Sequence, residues 1–166
     1  MVVTTTEPAS RTDEFEAFYR AHVDRVYRAL AVTLRRDDLA RDAVAEAMAR
    51  AYARWHVVGG LDNPAGWVFR VGLNWATSWW RKARRERPPA EESHHPHTPA
   101  TSAGELAARD ALALLPTAQR AVITCRVLLD LTTAETAAAL GLSEGTVKSR
   151  LSRGLAALRT ALSEKE

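Results

Sequence analysis

Residues 131–159 read LTTAETAAALGLSEGTVKSRLSRGLAALR, and this stretch decides the fold. Thr132 and Glu135 have the T-x-x-E spacing of a capping box, which opens a helix by satisfying its first free N–H groups. Ala134, Ala137, Ala138 and Leu140 give that helix a short, small-residue face. Gly141 supplies the left-handed residue that ends it, and Ser143 can cap the next helix. Two short helices joined by a tight glycine turn, with small residues where they cross, are the helix-turn-helix pattern. In the second helix Val147, Leu151, Leu155 and Leu158 share a core face. Opposite them project Gly145, Thr146, Ser149, Ser152 and Arg153, flanked by Lys148 and Arg150. Hydroxyls, a glycine and cations suit a DNA major groove, because they reach phosphates and base edges without bulk. A three-helix bundle with a solvated polar face is the plainer alternative.

Upstream of this pair, Glu105 to Leu115 and Thr117 to about Asp130 read as two more helices, separated by Pro116. Upstream again, residues 88–104 read PPAEESHHPHTPATSAG, with four prolines and no apolar period, so they are a linker. His94, His95 and His97 lie in this stretch and read as an incidental tract rather than a metal site.

Residues 13–87 form the other helical block. Phe15, Phe18, Tyr19, Val23, Val26, Tyr27 and Leu30 mark one face of a first helix, from about Asp13 to Leu34. Asp37 or Asp38 can cap a second, whose stripe is Leu39, Ala43, Ala47, Ala51 and Trp55, broken by Gly59-Gly60. Asn63 caps a third with Pro64 at its first position, where the missing N–H costs nothing. On this helix Trp67, Val68, Val71, Trp75 and Trp79 project to one face, read as core. Arg70, Asn74, Thr77, Arg81 and Arg84 fall on another, spaced four, three, four and three. Phe69, Leu73 and Trp80 form a further apolar edge. A cationic stripe beside aromatic rings suits nucleic acid: arginines neutralise phosphates and rings stack on unpaired bases. A solvated basic face is again the plainer alternative.

These elements predict an all-α chain of two small helical domains on a flexible linker, the C-terminal one a helix-turn-helix. The boundaries are a disordered tail at 1–12, a first domain at 13–87, the linker at 88–104 and a second domain at 105–166. The two domains are expected to move independently until a partner fixes them. At 166 residues this leaves each domain a small core. The net charge is +3. Residues 1–87 carry 15 Lys+Arg against 11 Asp+Glu, so the basic excess lies in the first domain and peaks at Arg81 to Arg87. The one cysteine, Cys125, excludes an intramolecular disulfide and a cysteine-rich zinc module, and its apolar helix phase reads as a buried hydrophobe. Neither an apolar run long enough to span a membrane nor a secretory signal is present in the sequence, so no membrane insertion and a cytoplasmic location are expected. No catalytic residue, metal ligand set or cofactor loop can be assigned, and neither an enzyme nor a bound cofactor is expected.

The motifs together resemble one family. Trp67 to Asn74 read WVFRVGLN, similar to the W-L-x-R-I-A-x-N of bacterial RNA polymerase sigma factors of the extracytoplasmic-function (ECF) group. Leu115 to Arg120 fit that group's L-P-x-x-x-R, and Gly141 to Gly154 its G-L-S-E-G-T-V-K-S-R-L-S-R-G run. The likeness covers residues 13–87, as sigma region two, and 105–162, as sigma region four. On the second helix Ala40, Asp42 and Glu46 match the group's D-A-E-D-x-x-Q-E, whereas Leu39, Arg41 and Ala45 depart from it. Ser78 stands where an aspartate is common.

The resemblance implies a protein that binds core RNA polymerase, places it on promoter DNA and promotes melting. It implies core binding through Asp42, Glu46 and Arg50 on the second helix. It implies capture of the minus-ten strand by His56, Asn63, Arg70, Asn74, Thr77, Arg81 and Arg84. It implies minus-thirty-five contacts from Ser143, Thr146, Lys148, Ser149, Arg150, Ser152 and Arg153. An anti-sigma factor is a further partner that the resemblance allows. The competing class is a stand-alone helix-turn-helix regulator that binds duplex DNA without polymerase.

Overall fold

A computed structural model describes residues 10–86 and 102–164. All regular elements among these residues are helical: α1 Arg11–Leu34, α2 Asp37–Ala53, α3 Trp55–Val58, α4 Pro64–Glu86, α5 Ala103–Ala113, α6 Thr117–Ile123, α7 Thr133–Leu140 and α8 Glu144–Ser163. A π-helical turn at Thr124–Leu128 extends α6 and carries Cys125.

Local chemistry sets the ends. Ser10 caps α1 through a reciprocal box with Asp13, so the helix starts inside the stretch expected to be tail; residues 1–9 lie outside the described residues. The cap of α2 is Arg36, and Asp37 and Asp38 occupy the first turn, where carboxylates complement the helix dipole. Asn63 does cap α4: its Oδ1 accepts from the Gly66 N–H at 3.3 Å. Ser102 caps α5, so the second unit begins three residues inside the expected linker; residues 88–101 lie outside the described residues, as do His94, His95 and His97. Gly141 ends α7 at φ +66°, with no atom close enough to obstruct a side chain, so the left-handed backbone alone favours glycine there.

Helices α1, α2 and α4 pack around a core of Val26, Leu30, Ala43, Ala47, Val68 and Phe69. The core face of α4 differs from the one its large apolar residues suggest. Its buried residues are Ala65, Gly66, Val68, Phe69, Gly72 and Ala76, whereas Trp67, Val71 and Trp75 are half-buried and Trp79 is 43% exposed. The cause is a close three-helix crossing. A methyl group on Gly72 would lie 3.0 Å from Leu30 Cδ1 and 3.3 Å from the Ala43 carbonyl oxygen. Only small residues fit that line, so the tryptophans are displaced to its flanks. Gly72→Val is therefore expected to destabilise by about 1–3 kcal/mol through overpacking, read as a lower urea midpoint at unchanged slope.

The C-terminal unit has its own small core of Val122, Ala137 and Val147, backed by Leu140, Leu142 and Leu151. At Gly154, α8 crosses α6 so closely that a methyl group would lie 2.6 Å from Ile123 Cδ1. Leu155, expected on the core face, is 39% exposed. The two units do not stand apart. Cys125, Leu129, Leu131 and Ala139 belong to the same apolar cluster as the N-terminal helices, and Leu131 packs on Gly66. Where two separate domains were expected, the structure brings the two units into contact through apolar surface on both.

Candidate nucleic-acid interface

The α4 stripe lies where its spacing puts it. Arg70, Asn74, Thr77, Arg81 and Arg84 are all exposed. The Thr77 hydroxyl donates to the Leu73 carbonyl at 2.8 Å, which leaves its lone pairs outward as acceptors. Arg84 stacks on the Trp80 ring, with its guanidinium carbon 5.0 Å from the ring centre. Arg36, from the turn before α2, stacks on the same ring at 5.2 Å and approaches Trp79 at 5.9 Å. It is also paired with Asp38 at 2.7 Å. Sequence spacing found Arg84 but missed Arg36, because the contact joins residues more than forty positions apart.

At the other end of the stripe the loop after α3 leads into Asn63. His56 is exposed on α3, and Val57 and Leu61 beside it are also exposed. Asn63 is committed at both ends of its amide. Besides holding the Gly66 N–H, it donates from Nδ2 to Glu135 Oε2 on α7 at 2.8 Å. The Thr132 hydroxyl accepts from the Glu135 N–H, as a capping box requires, but the Glu135 carboxylate reaches Asn63 in the other unit. Arg70 Nη1 points toward the Ala138 carbonyl at 3.5 Å.

On α8, Ser143, Gly145, Lys148, Ser152 and Arg153 are exposed, and Thr146, Ser149 and Arg150 are half-buried. The Ser143 hydroxyl accepts from the Thr146 N–H at 3.1 Å and lies 2.8 Å from its hydroxyl. Ser149 donates to the Thr146 carbonyl at 3.1 Å. These bonds hold the first turn, while Lys148, Ser152 and Arg153 point their side chains to solvent.

On α2, Asp42, Glu46 and Arg50 line one side at four-residue spacing, and Arg50 Nε donates to Glu46 Oε1 at 3.0 Å. Half-exposed on both partners, this pair contributes little to stability and remains available to a docking surface. Cys125 is fully buried, and burial alone pushes its thiol up to about 12. Arg120, from the L-P-x-x-x-R motif, is buried too. It donates to the Thr33 carbonyl from Nε at 3.1 Å and from Nη2 at 3.0 Å, to the Leu115 carbonyl at 2.8 Å and to the Thr117 hydroxyl at 3.2 Å. The motif marked this arginine, but its partner in α1 has no sequence signal.

The family described as sigma-70, region 4 matches residues 105–158. The RNA polymerase sigma-E factor of Streptomyces coelicolor is 37% identical over 154 residues, covering 90% of this chain and 86% of that protein. The ECF RNA polymerase sigma factor SigL of Mycobacterium tuberculosis is 35% identical over 133 residues, covering 75% of each chain. Among solved structures, the sigma factor RpoE in complex with the anti-sigma factor NepR from Bartonella quintana matches with a TM-score of 0.75 at 23% identity, covering 90% of this chain and 97% of that one. CnrH in complex with the cytosolic domain of CnrY matches with a TM-score of 0.63 at 24% identity, covering 92% and 89%. At those identities the structures establish the helical fold, while the sequence relatives, aligned across both helical units, establish the family: the chain belongs to the ECF RNA polymerase sigma factors.

Proposed function

We propose that this sigma factor binds core RNA polymerase through the Asp42–Glu46–Arg50 side of α2 and engages promoter DNA at two places. The α8 face, from Ser143 to Arg153, enters the major groove of the minus-thirty-five element. The α4 stripe, with His56 and Asn63 at its upstream end, takes the minus-ten element as a single strand. The protein makes and breaks no bonds; melting is driven by binding unstacked bases more tightly than paired ones. It acts in the cytoplasm, where polymerase is, and no described helix is long and apolar enough to cross a membrane. An anti-sigma factor is a further partner, by analogy with the complexes of the two structural relatives. The observation that carries the proposal is the outward-facing stripe of Arg70, Asn74, Thr77, Arg81 and Arg84, which a regulator reading only duplex DNA through α8 has no use for.

Run-off transcription with purified core polymerase tests it. Specific initiation that depends on this protein is the expected result. Tight binding to a duplex without polymerase, and no initiation with cognate core, would make it a stand-alone regulator. Arg153→Ala is expected to weaken minus-thirty-five recognition roughly tenfold or more, since a bidentate base contact is worth about 1–3 kcal/mol. Ser149→Ala should cost less, because the Ser149 hydroxyl is already spent on the Thr146 carbonyl. Competition among promoter variants reads both; unchanged preference in both mutants would place the groove-reading face elsewhere.

A further inference from the structure

We propose that the free protein is held closed by its own C-terminal unit, with α7 clasped onto the minus-ten face by Asn63–Glu135 and Arg70–Ala138 and with Arg120 plugged into the end of α1, so that polymerase must open this latch before the minus-ten strand can bind. The proposal rests on the minus-ten assignment made above.

The C-terminal unit carries two apolar surfaces. Val122, Ala137 and Val147 form its own core. Cys125, Leu129, Leu131 and Ala139 instead complete the cluster of the N-terminal unit. A domain built only to work at the far end of a tether would gain nothing from the second surface. Here it seats Leu131, fully buried, on the bare backbone of Gly66 at the start of α4. A methyl group on Gly66 would lie 3.4 Å from Leu131 Cδ1, an ordinary van der Waals contact, so Leu131 covers this stretch of backbone directly.

The polar clasps fall on residues with another task. The Asn63 amide hydrogen given to Glu135 is withdrawn from any base or sugar. The Glu135 carboxylate sits 2.8 Å from the Asn63 amide, and its negative charge would repel a phosphodiester brought to that amide. Arg70 lies against the α7 backbone. The α8 face remains exposed, so the closed form blocks the strand-capturing end and leaves the groove-reading end open.

Arg120 explains how such a latch is released. Arg120 as a whole is 5% exposed, and the acceptors it reaches are neutral oxygens: the Thr33 and Leu115 carbonyls and the Thr117 hydroxyl. Thr33 lies in the last turn of α1, where the helix dipole favours a cation. Desolvation is thus offset by dipoles, without a carboxylate contact, and water replaces the Thr33 carbonyl as soon as the units part, while the Leu115 and Thr117 acceptors stay with Arg120. The contact is specific in geometry but easily reversed.

Cys125, the sole cysteine, reports the state directly because it lies in the shared cluster. Full-length protein is treated with a fluorescent maleimide, with and without purified core polymerase, and labelled sigma is quantified on a gel. Leu131→Asp places a charge in the shared cluster, and Arg120→Met removes the plug while keeping its length; neither residue is on a proposed DNA or polymerase face. The wild type should label slowly, and both variants at least tenfold faster with unchanged far-ultraviolet circular dichroism. Core should accelerate labelling of the wild type. The folded variants should bind core more tightly, by the factor that the closed population withholds. If Leu131→Asp fails to fold, Arg120→Met alone decides. Wild-type labelling as fast as that of an exposed thiol, or folded variants that label no faster than wild type, would overturn the latch. Faster labelling of the variants with no core binding by any form would support the closed state and overturn the polymerase assignment instead.

Discussion

Replacing both Arg81 and Arg84 with glutamine should lower open-complex formation roughly tenfold at moderate salt and flatten its salt dependence, while core polymerase affinity stays near wild type. Both side chains are exposed on the outer stripe of α4. Each phosphate contact on a single strand releases about 0.7 of a counterion, so two lost contacts should reduce the slope of log K against log salt by about 1.4. The two arginines differ in how they are held. Arg84 is stacked on Trp80 beside Arg36, so its orientation is fixed before DNA arrives, whereas Arg81 meets no ring or carboxylate among the described residues. Arg84→Gln alone should therefore exceed Arg81→Gln alone. Arg20→Gln on α1, exposed and paired only with its helix neighbour Glu16, is the control and should change neither quantity. A promoter-melting assay across salt, beside a core-binding assay, reads the result. Collapse of core affinity with normal melting by the remaining holoenzyme would reassign this stripe to the polymerase and send the search for the minus-ten face elsewhere.

What was legible in the sequence was local. Thr132, Gly141 and Ser143 act within four residues of their own positions, and each occupies the cap or turn expected of it. The α4 stripe follows from helical spacing, and its five members are exposed together. What was not legible depends on two segments meeting. Glu135 has the spacing of a capping box, yet its carboxylate serves Asn63, 72 positions away. Arg120 stands in a recognisable motif, yet its acceptor is a backbone carbonyl of α1, which no side-chain pattern records. The docking of the two units escaped for the same reason: it is made by Leu129, Leu131 and Gly66, which carry no signal of one another in the sequence.

The α4 core face gives the sharpest stability contrast. Phe69→Ala should cost about 3–5 kcal/mol, the usual range for removing a buried ring, while Trp79→Ala should cost under about 1 kcal/mol despite deleting the larger side chain. Hydrophobic periodicity ranks these residues the other way, because it weights size and counts Trp79 with Trp67 and Trp75 on one face. Packing is governed by how closely the axes approach. At Gly72 the three helices nearly touch, and the face centred there includes Val68, Phe69 and Ala76. Phe69 is consequently fully buried, whereas Trp79, about two turns from the end of α4, projects past the crossing and meets Arg36 at 5.9 Å. Small domains have only about 5–15 kcal/mol of stability, so Phe69→Ala should remove a large part of it and lower the melting temperature by roughly 10 °C or more. Trp79→Ala should melt within a few degrees of wild type. Thermal unfolding followed by circular dichroism distinguishes the two. Equal losses for both substitutions would mean that Trp79 is packed in solution, and the core of the N-terminal unit would then extend to the end of α4.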